Sequence, residues 1–268
     1  MEKLNRLRIG LFDSGIGGFS ILRSLLETTP FADYFYVSDN AFAPYGPKSD
    51  EVITERSVVI TELLLEMKVD IIVVACNTAT AASIDFLRSK FPDVLFVGVE
   101  PYLNAYYKLP ESKKVAVLTT VSTGKSERFK KLKDRLDPSG EITQVPLENL
   151  AYNIEQFYAE NILKNELENR IKVELSPFQG KFTHVILGCT HYPLVKKTIE
   201  EVLKSECISP CPFVALRVRE VLKNNGHRIE TENKDTEIKD DEFHFYETNK
   251  QKWVKVSRSI TSLPFQNL

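Results

Sequence analysis

The sequence predicts an α/β protein made of two pseudo-symmetric α/β domains with mainly parallel sheets. Three observations predict it. Short apolar runs alternate with longer stretches of helical periodicity, the order that parallel sheets require. Runs such as VDIIVVA are apolar at nearly every position, as expected of strands covered by helices on both faces. Finally, the chain contains itself twice. IGLFDSGIGGFSILRSL parallels VAVLTTVSTGKSERFKKL as strand, small polar loop and helix, and VDIIVVACNTATAASI parallels FTHVILGCTHYPLVKKTI as strand, small residue, Cys, Thr and helix. The two pairs are offset by about 106 and about 113 positions, a nearly constant shift that marks a repeat.

Taken in order, strands are expected at Arg8–Phe12, Tyr34–Val37, Asp70–Ala75, Val94–Gly98, Lys114–Leu118, Glu141–Val145 and His184–Leu187, where the apolar runs end in Gly, Ser, Cys or Thr. Helical patterns fill Phe19–Glu27, Ser49–Met67, Ala79–Ser89, Ser126–Leu136, Ala151–Leu163 and Leu194–Lys204. The charged segment Asn233–Asp241 reads as loop. After it, FHFYETNKQKWVKV reads as a hairpin turning near Thr248–Lys250, covering or extending the first sheet. The repeat sets the division: residues 1–100 plus 210–268 form the first domain and 101–209 the second, with crossings near Pro101 and Pro210. Ligands in such sheets bind beyond the carboxyl ends of the strands. With the halves facing each other, one small molecule lies between two cysteines, and the active site falls at the domain interface.

Bulk composition excludes several classes. Of 268 residues, 35 are Lys or Arg and 37 Asp or Glu, a net charge of −2 that advertises no nucleic-acid surface. Arg6 and Arg8 interrupt the first apolar run, so no signal peptide is expected, and no stretch is long enough to span a membrane. The expectation is a soluble cytoplasmic protein. The four cysteines, at 76, 189, 207 and 211, make no disulfide framework in a reducing compartment. Cys207 and Cys211 flank ISP without further paired ligands, so no metal is expected.

Cys76 follows a buried strand and opens a helix, where free amides and the helix dipole favour an anion and ease ionisation of a thiol. Cys189 reads the same way in GCTHYPLV. Either alone is most simply a space-filling core cysteine. Two at matching places in a repeat, each followed closely by Thr, point to chemistry. Asp13 and Ser14 end the first strand. Such a carboxylate holds a proton, orients a thiol or binds an ammonium group, although Asp-Ser-Gly is also ordinary turn chemistry. His191 stands close enough to Cys189 to be its acid–base partner. Two thiols on opposite faces of an α-carbon interconvert enantiomers without turning the molecule over, one as thiolate base and the other as thiol acid. Charge building on the substrate carboxylate needs donors, and the hydroxyls of Ser14, Thr78, Thr120, Thr123 and Thr190 suit. Gly15, Gly17 and Gly18, with Asp39 ending the next strand, offer a rival dinucleotide reading. Ser20 takes the third glycine's place, and the repeat copy TTVSTGK keeps only one glycine.

DSGIGG, PYG (Pro44–Gly46), ACNTA (Ala75–Ala79), GVEP (Gly98–Pro101) and LGCTHYPL (Leu187–Leu194) stand in the order and spacing that resembles the glutamate racemase family, from about Ile9 to Val221. GCTHYPL is the most specific element, because related aspartate racemases carry Glu where His191 stands. The resemblance implies two α/β domains enclosing glutamate, no cofactor, and D-glutamate supplied for peptidoglycan. It implies that Cys76 takes the α-proton of D-glutamate with help from Asp13, and Cys189 that of L-glutamate with help from His191. Substrate contacts are implied for Asp13, Ser14, Pro44, Tyr45, Gly46, Asn77, Thr78, Thr120, Thr123, Thr190 and His191. It also implies a homodimer. Only eight residues precede Ile9, so the activation by a cell-wall precursor that longer members undergo is not expected. The family's VPL-x-E segment reads VPLE here, with Glu148 one position early, and no supporting role is carried over to it. Asp39-Asn40 replaces Asp-Thr. The alternatives are a racemase of aspartate or another small acid, and a non-catalytic protein that closes two lobes on an amino acid.

Overall fold

The computed structural model describes residues 6–110, 113–229, 243–249 and 252–256. The first lobe runs β1 (Leu7–Asp13), α1 (Phe19–Thr28), β2 (Ala32–Ser38), α2 (Asp50–Glu66), β3 (Ile71–Val74), α3 (Asn77–Lys90) and β4 (Phe96–Gly98). The second runs β5 (Val115–Thr120), α4 (Val121–Lys125), α5 (Glu127–Leu136), β6 (Ile142–Leu147), α6 (Leu150–Tyr158), α7 (Lys164–Leu175), β7 (His184–Leu187), α8 (Lys196–Leu203) and β8 (Glu206–Ile208). α9 (Cys211–Asn224) then packs on α1, and β9 (Phe243–Asn249) and β10 (Lys252–Val256) join the first sheet.

The sheets have orders β10-β9-β2-β1-β3-β4 and β6-β5-β7-β8. The blocks β2-β1-β3-β4 and β6-β5-β7-β8 have the same internal order, so the sequence repeat is a repeat of topology. Every pairing is parallel except β9 with β10. The hairpin extends the first sheet as expected: β9 runs beside β2, Tyr34 opposite Phe243 and Ser38 opposite Glu247. Asn249 pairs with Lys252, so the connection falls at 250–251, outside the described residues. The expected loop at Asn233–Asp241 also lies outside them.

Local chemistry explains the helix starts. The Ser49 side chain caps α2 by accepting the Val52 amide, with Asp50 and Glu51 in the first turn facing the positive end of the dipole. Ser126 caps α5 in the same way, and Lys133 and Arg135 close its last turn. One apolar core passes from lobe to lobe, including Leu11, Phe19 and Tyr36 of the first, Val145, Leu187 and Tyr192 of the second, and Val214 and Val218 of α9. At about 1.5–3 kcal/mol for each large apolar side chain buried, that continuity fixes how the lobes face each other.

Four elements go beyond the sequence expectations: α7, α9, the three-residue β8 and the short α4, where a polar loop is expected. The helix expected over Ala151–Leu163 breaks after Tyr158, where Glu160 takes φ of 60°, and a new helix starts at Lys164. Among the described residues, no helix is long and apolar enough to cross a membrane.

Candidate active site

β1 delivers Asp13 to the cleft, fully buried. Its carboxylate accepts the amides of Ser14 at 2.9 Å and Gly18 at 2.7 Å, so the backbone of DSGIGG wraps its own leading acid. Burial pushes the Asp13 carboxyl above its ordinary range; the His191 charge pulls against this, and Glu155 adds to it. The glycines of this loop have a packing reason. A Cβ on Gly15 would land on the Glu155 carboxylate, one on Gly17 on the His191 ring and Thr190 hydroxyl, and one on Gly18 against the Tyr36 hydroxyl. Two of the three make room for the second lobe. The space that a dinucleotide reading needs for a pyrophosphate is filled by protein side chains.

β3 delivers Cys76, whose Sγ caps α3 by accepting the Ala79 amide at 3.4 Å and lies 3.9 Å from the Ser14 hydroxyl. The helix terminus forms as expected, but the expected easier ionisation does not follow. Burial drives the Cys76 thiol well above the ordinary thiol range, the Asp13 charge raises it further, and the single Ala79 amide offsets only part. Burial and the Asp13 charge both favour the protonated thiol over the thiolate at Cys76.

β7 delivers Cys189 through Gly188. Its Sγ lies 3.7 Å from Nδ1 of His191, and both residues are buried. Cys189 does not open an α-helix as Cys76 does. Its carbonyl accepts the Tyr192 amide in a turn, a single 3-10 turn follows at Tyr192–Val195, and α8 begins only at Lys196. Pro193 is the reason, since it cannot donate an amide to an α-helical ladder. Its electrostatic partner is the imidazole. Burial opposes charging of His191, but hydrogen bonding to Cys189 and to Glu155 outweighs it, and the His191 pKa rises well above the ordinary imidazole value.

Glu155, on α6, is the functional residue that sequence reasoning missed. Its Oε1 lies 2.5 Å from His191 Nε2 and accepts the Ile16 amide at 2.9 Å, so one carboxylate oxygen joins the two lobes. Glu148, the acidic residue noted from sequence, is exposed just past the end of β6. No sequence signal separates Glu155 from the other acidic residues; the contacts are 36 and 139 residues distant along the chain.

The hydroxyls converge from both sides. Thr78 Oγ1 stands 3.4 Å from that of Thr120 and 3.3 Å from that of Thr123, which are 3.0 Å from each other. The Thr190 hydroxyl approaches Gly17, and its carbonyl accepts the Ser20 hydroxyl at 2.8 Å. Asn77 donates to the Val99 carbonyl at 3.4 Å, while its buried Oδ1 has no hydrogen-bond partner among the described residues. Tyr45 is buried in the same apolar cluster as Cys76, whereas Pro44 and Gly46 beside it are exposed. Structure thus gathers Asp13, Ser14, Cys76, Asn77 and Thr78 from the first lobe with Thr120, Thr123, Cys189, Thr190 and His191 from the second. The segment Pro44–Gly46 lies toward the rim. Among the described residues, no group of three or more His, Cys, Asp and Glu side chains is placed to hold a metal ion.

The model of the family described as Asp/Glu/Hydantoin racemase matches residues 9–217. A glutamate racemase of Clostridium perfringens strain SM101 is 35% identical over 254 residues, which are 93% of this chain and 95% of that protein. The Escherichia coli glutamate racemase, solved with L-glutamate and the activator UDP-MurNAc-ala, superposes with a TM-score of 0.76 at 28% identity, covering 85% of this chain and 87% of that one. The Francisella tularensis glutamate racemase, solved with D-glutamate, gives 0.75 at 27% identity, covering 98% and 95%. Matched topology, paired cysteines and these likenesses agree: the chain belongs to the Asp/Glu/Hydantoin racemase family, in its glutamate racemase branch.

Proposed function

We propose that the chain interconverts L- and D-glutamate by a two-base mechanism without a cofactor, with Cys76 and Cys189 as the proton-transferring groups. One observation carries this: each cysteine ends a central strand of one lobe and has its own acid–base neighbour, Asp13 for Cys76 and the His191–Glu155 pair for Cys189. In the L to D direction, Cys189 as thiolate takes the α-hydrogen as a proton, and the electron pair passes into the α-carboxylate. The Cys76 thiol then gives its proton to the opposite face and becomes the thiolate. The reverse direction exchanges the roles.

The electrostatics of the site fit the first of these directions. Burial and the Asp13 charge favour the protonated form of Cys76, the form that donates. Hydrogen bonding to Cys189 and Glu155 favours the charged form of His191 beside Cys189, the sulfur that must carry charge. Asn77 Oδ1 is an acceptor suited to an ammonium group, and the hydroxyls of Ser14, Thr78, Thr120, Thr123 and Thr190 are donors for carboxylates. Pro44, Tyr45 and Gly46 complete the proposed substrate contacts. Division of the chain at Pro101 and Pro210 agrees with which strands join which sheet. The resemblance extends the proposal to a cytoplasmic homodimer that supplies D-glutamate for peptidoglycan.

The test is incubation with L- or D-glutamate in deuterium oxide, without added cofactor, following optical rotation and loss of the α-hydrogen. Racemisation from both enantiomers, abolished by Cys76→Ala and by Cys189→Ala, is expected. Turnover of aspartate but not glutamate would keep the mechanism and overturn the substrate. Binding of glutamate without exchange would replace the enzyme with an amino-acid-binding protein.

A further inference from the structure

Residues 39–46 link the end of β2 to the rim of the site with little regular structure of their own, a single 3-10 turn at Asn40–Phe42. Such a segment positions substrate only if something outside it fixes its shape. Its base is fixed by backbone, since the Asp39 amide donates to the Asp13 carbonyl at 3.0 Å. Its middle is tied to the added strand β9, where the Thr248 hydroxyl accepts the Ala41 amide at 2.9 Å. Its far end is tied to its own base: the Tyr45 hydroxyl donates to Oδ2 of Asp39 at 2.6 Å.

The last tie is only as firm as the Asp39 carboxylate, which is fully buried. α2 supplies the counter-charge. Arg56 donates from Nε to Oδ2 at 3.0 Å and from a terminal nitrogen to Oδ1 at 2.8 Å, a two-point contact that fixes the plane of the carboxylate as well as its place. The guanidinium also lies over the Phe42 ring, 3.8 Å from its centroid, so a side chain of the segment packs on the group that holds it. A lysine could supply the charge there but not the fork.

We infer that Arg56 is a positioning residue for the substrate-binding segment. Through the buried Asp39 carboxylate and the Tyr45 hydroxyl, it holds Tyr45 and Gly46 at the height from which they meet the substrate. The inference rests on the reading that Pro44–Gly46 contact the substrate. Arg56 touches neither substrate nor reacting atoms, and its effect is on binding at a distance from the α-carbon. Such contacts are alike in ground and transition states, so their loss raises KM more than it lowers kcat.

The test compares wild type, Arg56→Ala, Arg56→Lys and Tyr45→Phe as full chains, with KM and kcat for both enantiomers, thermal melts, and addition of ethylguanidinium. Arg56→Ala is expected to raise KM about tenfold for L- and D-glutamate while kcat changes less than about threefold. Ethylguanidinium should recover a measurable part of that KM and do nothing to wild type. Arg56→Lys should fall between the two. Tyr45→Phe leaves the Asp39–Arg56 pair intact, so it should fold normally and still raise KM about threefold. An unchanged KM in a folded Arg56→Ala, or in Tyr45→Phe, would overturn the inference. So would a fall in kcat and melting temperature together, with no response to ethylguanidinium, which is the pattern of a merely structural ion pair. Failure of the functional reading shows itself separately, as a wild-type chain that turns over no glutamate.

Discussion

Oε1 of Glu155 lies 2.5 Å from Nε2 of His191, and the same oxygen accepts the Ile16 amide from the opposite lobe. The carboxylate that supports the charge on His191 is therefore held in place by the DSGIGG loop of the opposite lobe.

Glu155→Gln tests this link through pH. The folded pKa of His191 is raised above its unfolded value, so its contribution to stability is complete below the unfolded value, about 6.5, and is lost as pH rises through the folded value. The variant should lose about 1–3 kcal/mol relative to wild type at pH about 5.5, with the gap narrowing as pH rises past the folded midpoint. Urea unfolding across that range checks it. A gap independent of pH would detach Glu155 from the charge on His191. Racemisation should fall about 10- to 100-fold, read from steady-state rates in both directions.

The glycines of the first loop are expected to differ by what stands opposite them. Gly17→Ala places a methyl group on the His191 ring and should cost about 100-fold in activity, because a misplacement of about 1 Å in a reacting group can be that expensive. Gly46→Ala meets nothing within 4 Å, and its circular dichroism and melting temperature should match wild type. A Gly17→Ala enzyme with full activity would show that the lobes are not held at this distance during turnover.

Asp13→Asn removes the second-largest cause of the raised Cys76 pKa and leaves the largest, burial, in place. The pH at which Cys76 ionises should therefore drop but stay above the ordinary thiol range, measured as thiolate ultraviolet absorbance against a Cys76→Ser control. No movement would mean that the Asp13 charge is not felt at the sulfur.

Arg128 crosses between lobes, reaching Glu100 at 2.6 Å and Asp85 at 2.8 Å, and Asp85 is largely exposed. Screening leaves such a pair little net value, so Arg128→Ala should change unfolding stability by less than about 1 kcal/mol, and by less still in high salt. A larger, salt-independent loss would make this contact part of the packed core.

Much of the fold was legible because its signals are local. β3 is apolar throughout, and the two Cys-bearing segments repeat at an almost fixed offset, so the twin sheet orders follow from the residues themselves. Asp13, Cys76, Cys189 and His191 were legible for the same reason, each being the first polar or reactive residue past a buried strand, or close behind one. Glu155 was not, because its meaning lies in two contacts made across the cleft. The ionisation of Cys76 is not legible either, because a sequence shows the helix terminus but not the burial and the neighbouring charge that outweigh it. Arg56 reads as one more cation on an amphipathic helix until the buried Asp39 appears beneath it.

β9 lies along β2, yet the whole second lobe separates them in the chain. On a ribosome the first sheet therefore waits with one side open while its sister completes itself from neighbouring segments. That open side is Tyr34-Phe35-Tyr36-Val37, an aromatic and β-branched run of the kind that recruits strands from other chains. The hairpin is thus a late seal against self-association as well as an added pair of strands, and damage to it should surface first as lost solubility during synthesis.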